Sequence, residues 1–212
     1  SKSLSHDNYS MFNIIARDGS KVKFNIVKRE FSVSADFDKI YDKTTNFISN
    51  YEITYPNSAP TEAEKQAMNL NGSTIKLAYA SQNADQNIDI LVTYAGVDSN
   101  NFTYVPVYGN ILQRQIVVTP VSNQSSTYSQ AKTFEDMSKT IVYDVSYDES
   151  YKQNLKDTLG AEEFISEFSG NLQIELQDGQ NKFVAGTYQI ISNLTSSNIA
   201  IQFTDGITFT IE

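Results

Sequence analysis

The 212-residue chain has no cysteine, no tryptophan and a single histidine. The absence of cysteine excludes disulfide frameworks, thiolate metal sites and cysteine nucleophiles together. It fits a cytosolic protein, a virion protein or a bacterial surface protein, and it argues against a small eukaryotic secreted module, which usually needs disulfides. The large apolar side chains are therefore tyrosine and phenylalanine, with 13 and 12 copies. Because a tyrosine ring can be buried while its hydroxyl stays hydrated, tyrosine-rich sheet faces suit interfaces as well as core edges.

Candidate catalytic residues are few, because the only histidine, His6, lies in a polar N-terminal stretch. A catalytic imidazole has to be held by packing and by a second hydrogen bond, which an arm alone does not provide. The acidic pairs Asp36/Asp38 and Asp148/Glu149 have no distinguishing sequence context, and glycine-rich phosphate-binding motifs are missing. We therefore predict that the protein is not an enzyme and that it has no catalytic, cofactor-binding or metal-binding residues.

Residues 36–42 superficially resemble a calcium-binding loop, because aspartates recur along them. Calcium loops need small or oxygen-bearing residues and a glycine turn between the acids. Here the intervening positions include Phe37, Ile40 and Tyr41, which lie at helical spacing. The sequence therefore predicts an amphipathic helix over residues 36–49, with the acids favoured near its N-terminus by the helix dipole.

Acidic residues outnumber basic residues by 25 to 16, which gives a formal net charge of −9. No cluster of lysine and arginine interrupts this excess. Binding to nucleic acid or to an anionic membrane is disfavoured, because both depend on the neutralisation of phosphate charge. No apolar run reaches the length of about 18 residues that a transmembrane helix requires. We predict that the protein has no nucleic-acid partner and no transmembrane segment.

The clearest pattern in the chain is the alternation of apolar and polar residues along residues 171–212. The apolar positions are Leu172, Ile174 and Leu176, then Ile199, Ile201 and Phe203, then Ile207, Phe209 and Ile211. A period of two with one apolar face predicts half-buried antiparallel strands. The dipeptides Asp178-Gly179 and Asp205-Gly206 supply the positive φ angles of tight hairpins. We therefore predict a meander of consecutive strands in this part of the chain.

Three Asp-Gly dipeptides allow the strand register to be predicted, because a slip of one residue would exchange the buried and exposed faces. Asp178-Gly179 favours a two-residue loop, whereas Asp205-Gly206 and Asp18-Gly19 favour three-residue loops, with Gly206 left-handed in a bulge. The predicted cross-strand pairs are Ile174 with Phe183, Leu172 with Ala185, Phe203 with Ile207, Ile201 with Phe209, Ile199 with Ile211, Ile14 with Val22, and Phe12 with Phe24.

The other predicted elements follow from alternation, helical spacing and capping residues. Thr61 and Glu64 form a capping box that starts a short helix. Asp148 is predicted to cap a helix whose apolar face includes Tyr151 and Leu155. The remaining predictions are strands at 51–55, 74–80, 87–94, 102–107, 111–119 and 140–147, a helical turn at 130–138, a short helix around 164–168, and a polar loop at 120–129.

These elements predict an α+β fold of mostly antiparallel β-structure, a sandwich or barrel-like sheet with two to four short helices packed against it. We predict a single β-rich domain over residues 1–212. Two similar halves, at about 11–109 and 110–212, are the alternative organisation, suggested by a recurring strand-helix-strand order. In that alternative the matching segments are 31–36 with 143–148, 51–55 with 172–176, and 75–94 with 188–203.

No motif identifies a family, so the functional prediction depends on what the chain lacks and on its strands and polar loops. We predict a structural, assembly-forming protein, most simply a subunit of a phage or virus particle or tail, located in the virion. Its partners are copies of itself or other subunits, joined through strand edges and Asn/Ser/Thr-rich loops. The alternative is an exported bacterial surface protein or lipoprotein acting as a binding module. A signal peptide with a lipid-attachment cysteine encoded directly before Ser1 would favour that alternative.

Overall fold

The computed structural model describes the backbone of residues 14–15 and 21–22, and it describes residues 27–129, 133–176 and 184–212. The predicted fold class is confirmed, because the protein is mostly β-structure with short helices and with mixed and antiparallel sheets. The strands are β1 (Ile14–Ile15), β2 (Lys21–Val22), β3 (Arg29–Ala35), β4 (Asp38–Ile40), β5 (Tyr51–Thr54), β6 (Ile75–Tyr79), β7 (Asp85–Tyr94), β8 (Phe102–Tyr104), β9 (Tyr108–Leu112), β10 (Arg114–Pro120), β11 (Gln124–Ser126), β12 (Tyr143–Ser146), β13 (Leu172–Ile174), β14 (Gly186–Ser192), β15 (Ile199–Phe203) and β16 (Thr208–Ile211). The helices are α1 (Glu62–Met68), α2 (Phe134–Ser138) and α3 (Glu149–Lys152), with 3-10 helices at Ser99–Asn101 and Ala161–Glu167.

Residues 29–112, called the first half below, form two sheets. In the three-stranded sheet, β3 lies between β5, to which it pairs antiparallel, and β8, to which it pairs parallel. The four-stranded sheet has the order β4-β9-β7-β6, with β4 parallel to β9 and the other neighbours antiparallel. Phe31 of β3, Phe102 of β8 and Ile75 of β6 belong to one buried cluster, so that apolar packing joins the two sheets.

Residues 114–212, called the second half, repeat this arrangement strand for strand. Here β10 lies between β12, to which it pairs antiparallel, and β15, to which it pairs parallel. The four-stranded sheet has the order β11-β16-β14-β13, with β11 parallel to β16 and the other neighbours antiparallel. Strands β3 to β9 therefore correspond in order, neighbours and pairing sense to strands β10 to β16.

The pairing registers align the two halves residue by residue. Arg29 faces Phe102 where β3 meets β8, and Arg114 faces Ile199 where β10 meets β15. Each arginine is the first residue of the central strand of its three-stranded sheet. With the arginines aligned, the β3 sequence Arg-Glu-Phe-Ser-Val-Ser-Ala corresponds to the β10 sequence Arg-Gln-Ile-Val-Val-Thr-Pro.

The three segment matches predicted between the halves are wrong. The β3–β5 and β10–β12 registers make residues 51–55, Tyr-Glu-Ile-Thr-Tyr, the counterpart of residues 143–147, Tyr-Asp-Val-Ser-Tyr. The predicted match of 51–55 with 172–176 depends on a helix after residue 36 as well as after residue 148, and the first of these helices is absent. The shared strand order supports two similar halves of common origin, and that common origin stays a prediction.

Three buried clusters form the described core, and one of them crosses from half to half. It contains Tyr41, Tyr79 and Ile111 of the first half together with Ile116 and Phe164 of the second half. The other two clusters lie each within a single half. Because the shared cluster joins the two halves, we expect them to unfold as one cooperative unit.

Equivalent core positions in the two halves carry side chains of complementary size. In the first half Tyr79 packs against Gly109, where an added Cβ would lie 3.0 Å from the Tyr79 ring and 2.4 Å from the carbonyl oxygen of Phe37. In the second half the counterparts are Ile174 and Phe209, both buried. The large aromatic side chain is thus on β6 in the first half, whereas in the second half it is on β16, the counterpart of β9. This exchange is expected if each half keeps its total core volume.

The helix predicted over residues 36–49 is wrong, because the chain forms β4 there and then an irregular segment. The buried side chain of Lys39 donates from Nζ to Asp42 Oδ1 at 2.7 Å and to the Thr44 carbonyl at 2.7 Å. The amide of Tyr41 donates to the last carbonyl of β9 at 2.9 Å, which prolongs the β4–β9 pairing. These tertiary hydrogen bonds override the local helical spacing.

The meander predicted for residues 171–212 has the right strands and the wrong pairing. β15 pairs with β10, and β16 pairs with β14 and β11, so that β15 and β16 lie in different sheets. Gly206 between them has the predicted left-handed conformation, with φ at 84°. Ile174 pairs with Ile190, whereas the predicted partner Phe183 lies outside the described residues. Alternation predicts which face of a strand is buried, and it does not select the neighbouring strand.

Several local predictions are confirmed. Thr61 caps α1 and forms the predicted capping box with Glu64, and Asp148 caps α3. α3 ends at Lys152, so that Leu155 lies beyond it. The strands predicted at 51–55, 74–80, 87–94, 102–107 and 140–147 are present as β5, β6, β7, β8 and β12.

Two predicted elements are divided in the structure, and one register is confirmed. The single strand predicted at 111–119 is two strands, because the chain passes from β9 to β10 at Gln113. The loop predicted at 120–129 contains β11. Ile14 pairs with Val22 as predicted. The predicted pair Phe12 with Phe24, and part of the helical turn predicted at 130–138, lie outside the described residues.

Candidate functional site: the junction between the halves

The acidic residues considered for chemistry have structural roles. Asp36 Oδ1 accepts the amide of Asp38 at 3.2 Å, Asp42 binds a buried lysine, and Asp148 caps α3. His6 lies outside the described residues. In the ranges that the structure describes, no group of three or more histidine, cysteine, aspartate or glutamate side chains could hold a metal ion.

The guanidinium of Arg114 lies at the point where the second half begins. Its side chain is fully buried, and it forms a bidentate pair with Asp157, Nη1 to Oδ1 at 3.2 Å and Nη2 to Oδ2. Nη1 also donates to the hydroxyl of Tyr147 at 3.0 Å, and Nε donates to the carbonyl oxygen of Tyr41 at 2.7 Å. All three guanidinium nitrogens therefore have acceptors, as a buried cation requires.

Two aromatic rings of the second half lie against the same guanidinium. The Cζ atom of Arg114 is 4.6 Å from the ring centroid of Phe164 and 5.6 Å from that of Tyr147, within cation–π range. Phe164 also contacts Tyr41 of the first half, with ring centroids 6.0 Å apart. The hydroxyl of Tyr147 donates to the carbonyl of Leu159 at 3.2 Å, which orients its oxygen to accept from the arginine.

A second buried cation, Lys39, shapes the segment that presents the Tyr41 carbonyl. Its Nζ atom binds Asp42 and Thr44, and it lies 5.2 Å from the ring centroid of Tyr79. Asp42 Oδ1 also accepts the amide of Thr44 at 3.0 Å. A buried charge is tolerated only when it is paired and hydrogen-bonded in this way. The lysine therefore fixes the bend that turns the Tyr41 carbonyl toward the second half.

Further hydrogen bonds cross the junction. The side-chain Oδ1 of Asn198, just before β15, accepts the amide of Ala84 from the first half at 2.9 Å. Within the second half, the backbone carbonyl of Asn198 accepts the amide of Arg114 at 3.1 Å, so that Asn198 is held beside the junction. Lys43 of the first half donates from Nζ to the carbonyl of Glu163 at 2.6 Å. The two halves are thus held by directional bonds as well as by shared apolar packing.

Burial and hydrogen bonding set the protonation states at the junction. Burial opposes the charge on Arg114, but hydrogen bonds to Asp157 and Tyr147 outweigh it, and the pKa of the guanidinium lies above its usual value. For Tyr41, burial and then the charge of Glu167 raise the pKa of the hydroxyl. The guanidinium of Arg114 is therefore charged, within its ion pair with Asp157, and the hydroxyl of Tyr41 is neutral at physiological pH.

A pH dependence follows from Tyr79, whose hydroxyl donates to the carbonyl of Phe37 at 3.0 Å. Burial, followed by the charges of Asp36, Asp38 and Asp42, raises the pKa of Tyr79 to about 12. The unfolded chain loses this proton near pH 10, so that between about pH 10 and 12 the unfolded state binds fewer protons than the folded state. The free energy of unfolding is therefore expected to fall as the pH rises through this range.

Urea denaturation midpoints at pH 8 and at several values above about pH 10 test this dependence. The matched variant is Tyr79→Phe, which keeps the ring and removes the ionising group. Its midpoint should fall less steeply over the same range, and the remaining fall comes from other buried tyrosines. Equal slopes for the variant and the wild type would contradict the role given to Tyr79.

The arginine of the first half, Arg29, has looser contacts than its counterpart Arg114. Its Nη2 atom donates to the carbonyl and the hydroxyl of Ser58, both at 3.2 Å. Nη1 lies 3.7 Å from a carboxylate oxygen of Glu64, and Cζ lies 6.0 Å from the ring centroid of Tyr55. Tyr55 is the counterpart of Tyr147, so that both arginines lie against equivalent tyrosines. We call the surface around the arginine of each half its arginine end.

The Nε atom of Arg29 is buried and has no hydrogen-bond partner among the described residues. The equivalent nitrogen of Arg114 donates to the Tyr41 carbonyl of the preceding half. Beside Arg29 lies a cleft of about 440 Å³, lined among others by Met68 and Asn101. The contact that satisfies the second arginine is therefore missing for the first within the described part of the chain.

The counterpart of Tyr41 is Tyr128, at the far end of the second half. The amide of Tyr41 donates to the carbonyl of Leu112 at 2.9 Å, and the amide of Tyr128 donates to that of Glu212 at 2.6 Å. Leu112 ends β9, and Glu212 directly follows β16, its counterpart. Tyr41 is buried against the second half, whereas Tyr128 is 43% exposed. We call the surface around the tyrosine of each half its tyrosine end.

Comparison with protein-family models, with curated proteins and with solved structures finds no match for this chain. None of the described helices is both long enough and apolar enough to cross a membrane.

Neither arginine is among the residues singled out from the sequence, which predicted no site residue. The available signal is a repeated pattern rather than a motif. Arg29 and Arg114 each start an alternating strand, and each is followed by a Tyr-x-x-x-Tyr segment, at 51–55 and 143–147. The predicted matches between the halves do not contain this pattern, because they pair 143–148 with 31–36.

Proposed function

We propose that this protein is a non-enzymatic, structural protein that functions by forming assemblies. The main observation in its favour is the contact between the two halves. Two units with the same strand order meet through unlike surfaces, the tyrosine end of the first half and the arginine end of the second. A contact between unlike surfaces is heterologous and can repeat from unit to unit. A further arginine end at Arg29 and a further tyrosine end at Tyr128 make no contact of this kind within the described part of the chain, and both suit such a repeat.

Exposed apolar side chains support the same proposal. The outer edges of β6 and β13 already have partners, because Asn46 bridges to Ala78 of β6 and the amide of Ile174 in β13 donates to the hydroxyl of Ser138 at 3.4 Å. Leu91 and Leu112 of the first half, however, are large apolar residues that remain exposed. Exposed apolar side chains are a feature of interaction surfaces. Partners that are copies of this chain, or other subunits of an assembly, fit these surfaces.

A phage or virus particle or tail is the assembly that we propose, with the virion as its location. The composition supports it, since the chain is free of cysteine and needs no oxidising compartment to fold. The acidic excess of −9 favours subunits that remain separate until they are concentrated at an assembly site.

The alternative proposal is an exported bacterial surface protein or lipoprotein that acts as a binding module. The cleft beside Arg29 favours it, because its volume of about 440 Å³ lies in the range of small-molecule sites. Charged groups of both signs line it, Lys28 and Arg29 together with Glu64 and Asp98, and they could orient a polar ligand.

The mass of the protein purified from its native source, measured by light scattering together with electron micrographs, tests the proposal. Rings, tubes or shells are the expected result and would direct attention to contacts between subunits. A monomer of about 23.8 kDa at every concentration, with no associated protein, would contradict the assembly function. That outcome would favour the surface module, and ligand screening of the cleft would follow.

A further inference from the structure

The two surfaces that meet inside the molecule each occur a second time at its ends. At the internal junction, Nε of Arg114 donates to the carbonyl of Tyr41 at 2.7 Å. At the ends, the buried Nε of Arg29 has no partner within the described ranges, and Tyr128 holds the place of Tyr41. We infer that the tyrosine end of one copy of this chain docks on the arginine end of a second copy, in the geometry of the internal junction. The inference rests on the proposed assembly function and specifies the contact that it uses.

The central contact of this docking is the hydrogen bond from Arg29 Nε to the Tyr128 carbonyl of the neighbouring copy. It satisfies a buried donor, and leaving such a donor unpaired is unfavourable. The ring of Tyr128, exposed in the single copy, enters the cleft beside Arg29 as Tyr41 enters the core beside Arg114. Met68 and Val97 are apolar residues that line this cleft.

A second matched position supports the same geometry. Asn198 directly precedes β15, and its side chain accepts the amide of Ala84 across the internal junction at 2.9 Å. Asn101 directly precedes β8, the counterpart of β15, and it lines the cleft beside Arg29. In the docked pair, Asn101 occupies the place from which Asn198 binds the preceding half. Arginine and asparagine thus recur together at both arginine ends.

The residues directly before the two arginines also behave alike. Gln113 donates from Nε2 to the carbonyl of Ser197 at 3.0 Å, and Lys28 donates from Nζ to the carbonyl of Ser99 at 3.4 Å. Glu212 is the counterpart of Leu112, which directly precedes Gln113, and Lys28 is the counterpart of Gln113. In the docked pair, Glu212 of one copy therefore lies next to Lys28 of the other copy. An acid then lies beside a base, which gives the two ends complementary charge.

Because the contact joins unlike ends, each added copy presents a new arginine end and a new tyrosine end. Repetition therefore gives a ring if the rotation closes and an open filament if it does not.

Sedimentation velocity of the full chain over a wide concentration range tests the docking. We expect the wild-type mass to rise with concentration above that of a monomer. Arg29→Ala and Tyr128→Ala should each weaken association at least tenfold, and Asn101→Ala provides a second change at the arginine end. The matched controls are Lys156→Ala and Tyr108→Ala, which change an exposed lysine and an exposed tyrosine away from both ends. Far-UV circular dichroism verifies that each variant is folded.

A mixture of the two end variants gives the sharper result. Arg29→Ala keeps an intact tyrosine end, and Tyr128→Ala keeps an intact arginine end. A mixture of the two variants should therefore form a dimer of about twice 23.8 kDa and no larger species. Each variant alone should remain a monomer at the same concentration. A symmetric contact between like ends would give no such complementation.

Two outcomes would overturn the docking. Wild-type protein that stays monomeric at all concentrations is one, and association that neither end variant weakens is the other. In the second case the proposed assembly function still stands, with its contact elsewhere. Assemblies seen in the native source but not with this chain alone would place the contact on a different partner and would also refute docking between copies.

Discussion

Replacing Arg114 by alanine is expected to lower the free energy of unfolding by about 3–5 kcal/mol, the usual cost of breaking a buried ion pair from one side. The substitution leaves Asp157 without its bidentate partner. It also leaves the carbonyl of Tyr41 and the hydroxyl of Tyr147 without the donors that Arg114 supplies. Urea denaturation followed by circular dichroism measures the loss.

The matched control is Arg29→Ala, at the equivalent residue of the first half. The side chain of Arg29 is 31% exposed and its contact with Glu64 spans 3.7 Å, so that a cost below about 1 kcal/mol is expected. Arg114→Lys should recover little of the loss, because an ammonium cannot reproduce the fork that binds Asp157. Similar costs for the two alanine variants would contradict the view that the internal junction makes Arg114 special.

Replacing Phe164 by alanine is expected to cost about 3–5 kcal/mol, as for other fully buried phenylalanines. Its ring packs against Tyr41 of the first half and against the guanidinium of Arg114, and Lys43 Nζ lies 5.0 Å from its centroid. The substitution therefore opens a cavity between the halves and removes cation–π contacts. The same denaturation experiment measures it.

Ile165→Ala is the control, because Ile165 is on the same 3-10 helix and is 39% exposed. Its cost should stay within about 1 kcal/mol. Phe164 and Arg114 are in contact, so the double variant should lose less than the sum of the two single losses. Additive losses would indicate that the ring and the guanidinium stabilise the protein independently, contrary to the shared junction described here.

If the two halves unfold as one unit, both junction variants should keep a single transition with an unchanged dependence on urea. A second transition in Arg114→Ala would show that the junction couples two units that are each stable alone. The chain has no tryptophan, and tyrosine fluorescence therefore provides the second probe. Coincidence of the two probes is the test of two-state behaviour.

The parts of the fold that could be predicted are those set by local chemistry. The capping box of Thr61 and Glu64 depends on residues three apart and forms as predicted. The alternation in β6, β7 and β14 predicts the buried faces of these strands. Residues 36–49 could not be predicted in this way. Their apolar spacing indicates a helix, but the hydrogen bonds of the buried Lys39 ammonium hold the segment in a different conformation.

The candidate site could not be predicted residue by residue. Asp157, Tyr147 and Tyr41 come from separate parts of the chain, and they meet at Arg114 only because β10 starts where β9 ends. The cost of burying a charge makes that meeting obligatory once the arginine is inside. Nothing in the neighbouring sequence distinguishes Arg114 from an exposed arginine at the edge of a sheet.

By itself the sequence determined the strand-rich class, the faces that strands bury, the caps of its helices and the absence of cysteine chemistry. Only the tertiary structure decided which strands are neighbours, including the parallel pairs β3–β8 and β10–β15. It also decided that the halves correspond through Arg29 and Arg114. Alternation and capping act between residues a few positions apart, so that a short stretch of sequence is enough to predict them. The choice of a partner strand and the burial of a charge depend on contacts between distant segments, which exist only when the whole chain has folded.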